Sequence, residues 1–179
     1  AESTSQSHAK RQMPPGPRGG VAWGPRRDHP YQVMTPGEPK HYYLRVSLTE
    51  ACAFRCPYCL PEGPKALTPR RDLLSPAEIG RAVRVLSELG VTKVRLTGGE
   101  PLQRQGCVEI AGEIARIAAI RDLSLTTNGE YLAALAGPLK AAGVRRLNVH
   151  LDSLDPARFR AIARRSDLAQ VLRGIDAAV

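Results

Sequence analysis

From about residue 42 onward, apolar and polar positions fall into two alternating rhythms. Short stretches change character at every residue, the period-two signature of a strand with one apolar and one polar face. In the first, Leu44, Val46 and Leu48 oppose Arg45, Ser47 and Thr49; in the second, Val94 and Leu96 oppose Lys93, Arg95 and Thr97. In the third, Leu123 and Leu125 oppose Ser124 and Thr126, and in the fourth, Leu147, Val149 and Leu151 oppose Arg146, Asn148, His150 and Asp152. Between them, apolar residues recur at helical spacing. Ser75-Pro76-Ala77-Glu78 is a capping box with proline at the first helical position, and Ile79, Ala82, Val83, Leu86 and Leu89 follow on one face before Gly90 stops the helix. The pattern predicts strands over 43–48, 92–97, 123–126 and 144–151. It predicts further helices over 107–120 and 130–142, from Pro156 after Asp155, and over 168–179.

Strand and helix in alternation define an α/β class with parallel strands and outer helices. A parallel strand covered by helices on both faces is apolar throughout, and none of these four is. Helices can cover the apolar faces, which leaves the polar faces to converge on a wet interior, as in an open or ligand-holding barrel. A sheet with one face in solvent is the alternative, common in antiparallel folds, but the intervening helices favour parallel crossovers. Arg45, Lys93 and Arg95 would make such an interior attractive to phosphates.

Composition changes the picture at the N-terminus. Of the first 40 residues 12 are proline or glycine, so residues 1–40 read as a flexible leader and 41–179 as one core domain. Neither a secretory signal nor a membrane-spanning run is present, so a cytoplasmic setting with reduced thiols is expected, without a membrane partner. The net charge of +9 admits nucleic acid, acidic membranes or a polyphosphate ligand. Only 4% of residues are aromatic, and no basic stacking platform stands out, so nucleic acid is not the expected partner.

Candidate chemistry concentrates after the first strand, in Cys52-Ala-Phe-Arg-Cys56-Pro-Tyr-Cys59. The chain has four cysteines, and the fourth, Cys107, opens an apolar helix pattern where a thiol packs as a small hydrophobe. A disulfide framework would strand one member of the trio or force a bond within a tight loop. Zinc sites pair two cysteine knuckles, or a knuckle with a histidine pair, and no second half follows at that spacing, though zinc remains open. Bacterial ferredoxins run C-x2-C-x2-C-x3-C-P and saturate every iron, whereas this run stops at three. Three thiolates can hold three irons of a cubane and leave a fourth open. Two further loops leave strands on the same side: Thr97-Gly98-Gly99-Glu100-Pro101, whose glycines let backbone approach a ligand, and Thr126-Thr127-Asn128-Gly129. Each is ordinary alone.

Together they resemble the radical S-adenosylmethionine superfamily, and within it the GTP 3′,8-cyclase family of molybdenum cofactor biosynthesis. The resemblance rests on residues 42–61, 93–102 and 147–155 and runs from about Tyr42 to the last residue. It implies that Cys52, Cys56 and Cys59 ligate a 4Fe-4S cluster whose open iron binds S-adenosylmethionine. It further implies that Tyr58 and Gly99, beside Gly98, contact S-adenosylmethionine through backbone groups, that Glu100 receives its amino group, and that Arg45, Arg95 and Thr126 contact GTP. His150 stands where many members have a serine touching S-adenosylmethionine. The implied reaction cleaves S-adenosylmethionine reductively to a 5′-deoxyadenosyl radical, which takes hydrogen from C3′ of GTP so that this carbon closes onto C8. The product is (8S)-3′,8-cyclo-7,8-dihydroguanosine 5′-triphosphate. Implied partners are a reductant for the cluster and cyclic pyranopterin monophosphate synthase as the next enzyme, and a homodimer is compatible with the resemblance. The family continues past Val179 with more barrel strands and a second 4Fe-4S cluster, so the chain reads as an N-terminal fragment of an incomplete (β/α) barrel. A radical enzyme with another substrate, or a non-enzymatic iron-sulfur or zinc module, are the competing readings.

Overall fold

The computed structural model describes residues 42–59 and 67–179. The expected leader lies outside the described residues. Four strands, β1 (Tyr42–Ser47), β2 (Val91–Thr97), β3 (Asp122–Thr127) and β4 (Arg146–Val149), form one sheet in the order β1-β2-β3-β4, every neighbouring pair parallel. The connections carry α1 (Pro76–Glu88), α2 (Cys107–Ala115) and α3 (Leu132–Ala141); α4 (Pro156–Ala163) and α5 (Leu168–Asp176) follow β4. This is the parallel α/β arrangement expected from the alternating rhythms.

Register turns strand parity into rows. Val46, Leu96, Leu125 and Leu147 stand side by side, as do Leu44, Val94 and Leu123. Those rows pack under Ile79 and Val83 of α1, Ile110 and Ile114 of α2, and Leu132 and Leu139 of α3. Val94, Leu96, Leu125, Ile110 and Ile114 are fully buried, each worth about 1.5–3 kcal/mol relative to exposure. The intervening row on the other face is Arg45, Arg95, Ser124 and Arg146.

Local signals account for most boundaries. The Ser75 hydroxyl accepts from the Glu78 N–H at 3.3 Å, and the Glu78 carboxylate accepts from the Ser75 N–H at 2.7 Å, closing the capping box. Asp155 caps α4 by accepting from Arg158 N–H at 2.7 Å. Gly90 and Gly143 end α1 and α3 with φ of 104° and 98°, the left-handed conformation glycine adopts without cost.

Three elements differ from expectation. Helix α2 ends at Ala115, and residues 116–120 continue as tighter turns with Ile117 N–H bonded to Ile114 O and Ile120 N–H to Ile117 O. Helix α3 starts at Leu132, because the Asn128 side chain captures the Glu130 N–H in a turn that delays the helix. Strand β4 spans only Arg146–Val149, its last expected residues peeling away to form part of the site.

A second, smaller core lies beyond the strand ends. Phe54 and Cys56 pack with Phe159 and Ala163 of α4 and Leu168 and Val171 of α5. The Phe54 and Phe159 rings meet edge to face, centroids 5.8 Å apart at 84°.

Candidate metal and cofactor site

The cysteine loop leaves β1 and stays stitched to the loop leaving β2. Leu48 N–H donates to Thr97 O at 2.9 Å, Gly99 N–H to Thr49 O at 2.7 Å, and Glu100 N–H to Ala51 O at 2.7 Å, so pairing outlasts both strands. The approach is so close that a Cβ on Gly99 would sit 2.4 Å from Ala51 O. Glycine at 99 is therefore a packing requirement between two backbones. The loop's far side is tied to α4 by Arg55 N–H donating to Ala163 O at 2.9 Å.

Cys52 is half-buried, Cys56 buried and Cys59 exposed, all as free thiols. Burial pushes the Cys52 and Cys56 thiols up, and the three thiolates, once formed, repel one another; Glu100 adds its charge against Cys52. Positive charge brought into the loop, as a metal group supplies, favours the Cys52 and Cys56 thiolates against that burial. Among the described residues no three Cys, His, Asp or Glu side chains converge as ligands of one ion. A cubane instead takes each thiolate on a different iron, so this donor set fits a cluster better than a single tetrahedral zinc. Cys107 packs in the main core, 3% exposed, and burial pushes its thiol up to about 12. It stands apart from the trio, as its place in an apolar helix predicts.

Glu100 does not stand free to receive a ligand amine. Its side chain is 1% exposed; Oε1 accepts from Leu102 N–H at 2.9 Å and from the Thr127 hydroxyl at 2.8 Å, and Oε2 accepts from Asn128 N–H at 2.7 Å. Burial pushes its carboxyl up while these donors pull it down. The carboxylate binds the β2 loop to the β3 loop, a task that the sequence-level reading of Glu100 as an ammonium partner did not foresee. Across that junction the Asn128 amide reaches Cys52, Nδ2 to Sγ 3.7 Å.

Tyr58, in the cysteine loop, reaches β4's exit. Its hydroxyl lies 3.0 Å from His150 Nε2 and donates to Asp152 at 2.8 Å. His150 Nε2 in turn lies 3.1 Å from Asp152 Oδ1. The structure thus brings Tyr58 and His150 together, and adds Asp152, which parity had placed on the same polar face without assigning it a role. Asp152 and Cys56 hold the Tyr58 phenol up, behind the larger effect of desolvation.

On the polar face, the Arg95 guanidinium stands 5.4 Å over the Tyr43 ring and its Nε bonds the Ser124 hydroxyl at 3.4 Å. Arg45 pairs with Arg95 in register and is exposed. Thr126 lies two residues beyond Ser124, partly buried, in register with Asn148. Tyr43 carried no sequence signal as a site residue, since a tyrosine opening a strand is ordinary. Gly98, at φ 151°, lies against the Thr49 backbone beside Gly99.

A model of the radical S-adenosylmethionine superfamily matches residues 46–179, and the chain belongs to that superfamily. Membership implies a 4Fe-4S cluster and S-adenosylmethionine as cofactors. At closer range, it is 54% identical over 136 residues to a GTP 3′,8-cyclase of Pseudomonas entomophila (strain L48), an alignment covering 76% of this chain and 40% of that protein. A GTP 3′,8-cyclase of Brucella ovis is 51% identical over 139 residues, again 76% and 40%. The chain therefore spans about two fifths of the length of the curated relatives it matches. Among solved structures, methylornithine synthase aligns with a TM-score of 0.58 at 15% identity, covering 77% of this chain and 42% of that one. BtrN in complex with AdoMet and 2-DOIA aligns with a TM-score of 0.52 at 19% identity, covering 75% and 55%. At those identities the likeness is one of fold.

Proposed function

We propose that this chain is the cluster-binding part of a GTP 3′,8-cyclase acting in molybdenum cofactor biosynthesis. The observation that carries the proposal is the stitching of the three-cysteine loop to the Gly98-Gly99 loop, on the sheet whose polar face aligns Arg45 with Arg95. Identity above 50% to proteins named for that reaction supports the choice of substrate.

In this reading Cys52, Cys56 and Cys59 hold the cluster, which when bound would supply the electron that cleaves S-adenosylmethionine to a 5′-deoxyadenosyl radical. Gly98 and Gly99 offer backbone at a point where no side chain intervenes, and Tyr58 lends the cysteine loop's backbone while its hydroxyl is held by His150 and Asp152. His150 acts here through Tyr58 and is the sterically larger occupant of a strand-exit position. Arg45 and Arg95 provide fixed positive charge for the triphosphate, Arg95 being aimed by Tyr43 and Ser124, and Thr126 closes the same face. The same proposal carries with it a reductant for the cluster, cyclic pyranopterin monophosphate synthase as the next enzyme, a second 4Fe-4S cluster and a homodimer.

Anaerobic reconstitution followed by electron paramagnetic resonance tests the cluster. A reduced 4Fe-4S signal that changes on adding S-adenosylmethionine is expected, and a signal indifferent to it sinks the enzymatic reading. Calorimetry tests the substrate: Arg95→Ala is expected to weaken GTP binding at least tenfold while leaving the spectroscopic response to S-adenosylmethionine intact. Unchanged GTP affinity would instead favour a radical enzyme with another substrate.

A further inference from the structure

The loop after β3 carries an asparagine held in place more firmly than a turn requires. Asn128 is 9% exposed. Its backbone N–H donates to the buried Glu100 carboxylate at 2.7 Å, and its Oδ1 accepts from Glu130 N–H at 3.0 Å. The neighbouring Thr127 hydroxyl, which donates to Glu100, accepts from Gly129 N–H at 3.0 Å. Because Oδ1 is committed to a backbone donor, the amide cannot be flipped without setting one N–H against another. Nδ2 is therefore the atom that faces Cys52 Sγ, at 3.7 Å. A buried amide N–H needs an acceptor, and a metal-bound thiolate is a far better one than a neutral thiol.

We propose that Asn128 is a positioning residue for cluster redox chemistry, donating an N–H···S hydrogen bond to the Cys52 thiolate that raises the reduction potential of the 4Fe-4S cluster. The proposal rests on the cluster reading above. Reduction adds one electron to the cluster, and part of that charge resides on the cysteine sulfurs. A donor aimed at one sulfur stabilises the reduced form more than the oxidised form. The need for it is local: the Glu100 carboxylate beneath the same loop bears on Cys52 with the opposite sign. The three residues 100, 127 and 128 thus form one unit, in which the carboxylate fixes the asparagine and the asparagine offsets the carboxylate's field at sulfur. A turn in which Asn128 merely capped Glu130 would not require Nδ2 to face a thiol.

The test is an anaerobic potentiometric titration of the reconstituted chain with dithionite as reductant, read by electron paramagnetic resonance. Asn128→Leu removes the donor at similar volume, whereas Asn128→Ser removes it while keeping a hydroxyl oxygen that can accept the Glu130 N–H, without adding charge beside the sulfur. Both should make the cluster harder to reduce, lowering the reduced-to-oxidised ratio at a fixed ambient potential about tenfold, which is 59 mV for a one-electron couple. Ser166→Ala, which disturbs the Ser166 to Glu130 contact in the same region without touching sulfur, should leave the ratio within twofold. If Asn128→Leu does not load a cluster, Asn128→Ser decides the matter. Equal ratios in parent and Asn128 variants, or an equal shift in Ser166→Ala, overturn the proposal while leaving the cluster reading intact. Failure of the unsubstituted chain to assemble a 4Fe-4S signal overturns both.

Discussion

Replacing Gly99 by alanine tests whether the cysteine loop is truly built onto the β2 exit. The added methyl would lie 2.4 Å from Ala51 O, 2.6 Å from Glu50 O and 2.8 Å from Ala51 C, all backbone atoms that cannot rotate away. Restoring ordinary contact requires the two loops to part by about 1 Å. That movement breaks the 2.7 Å bonds from Gly99 N–H to Thr49 O and from Glu100 N–H to Ala51 O. Two backbone hydrogen bonds are worth roughly 0.5–1.5 kcal/mol each, and residual overlap adds about 1–3 kcal/mol. The expected loss is therefore on the order of 2–6 kcal/mol. Gly112→Ala supplies a control of opposite sign: nothing lies within 4 Å of a Cβ there, and inside α2 alanine should gain up to about 1 kcal/mol. Urea titrations followed by circular dichroism measure both. A Gly99→Ala protein within about 0.5 kcal/mol of the parent would refute the stitched-loop account.

Phe159→Ala should cost about 3–5 kcal/mol and speed alkylation of Cys52 and Cys56 in the native protein, since its ring closes the core beneath them. Mass spectrometry of labelled peptides separates this from global unfolding, which would expose Cys107 equally. Asp152→Ala should bring the Tyr58 phenol back down toward its usual range, because the carboxylate accepts the phenolic proton. Alkaline titration by ultraviolet absorbance reads this, and an unmoved midpoint counts against the contact. Glu100 is held above the usual carboxylate range by burial, so its contribution is fully present below the unfolded value of about 4.3 and is lost as pH rises through the higher folded value. Unfolding free energies measured across that window should fall with pH in the parent, and Glu100→Gln should flatten this component.

Strand parity was legible because a two-residue period is a property of consecutive side chains. Rows such as Arg45, Arg95 and Ser124 follow once the strands are parallel and in register. The capping box at Ser75 and the Asp155 cap were equally readable, being closed within four residues. What escaped the sequence joins distant segments. Glu100 could face a ligand or turn inward, and only its meeting with Thr127 and Asn128 across 27 and 28 positions decides the matter. The same holds for Tyr58 and Asp152, separated by 94 positions. The late start of α3 has a local cause, yet Asn128 binds its neighbour's N–H in a way that helical periodicity does not register.

The edge-to-face contact of Phe54 with Phe159 also sets an order of events during synthesis. The ring that shelters the cysteine loop emerges from the ribosome 105 residues after the one it covers, a delay of roughly 5–20 s at usual elongation rates. For that interval the strands that flank the loop can already pair, but Phe54 lacks the ring that covers it and Cys56 lacks the core it packs into. Once α4 has docked, Phe54 and Cys56 are closed into the second core while Cys59 stays at the surface, so the loop's two ends pass from one common exposure to two different ones.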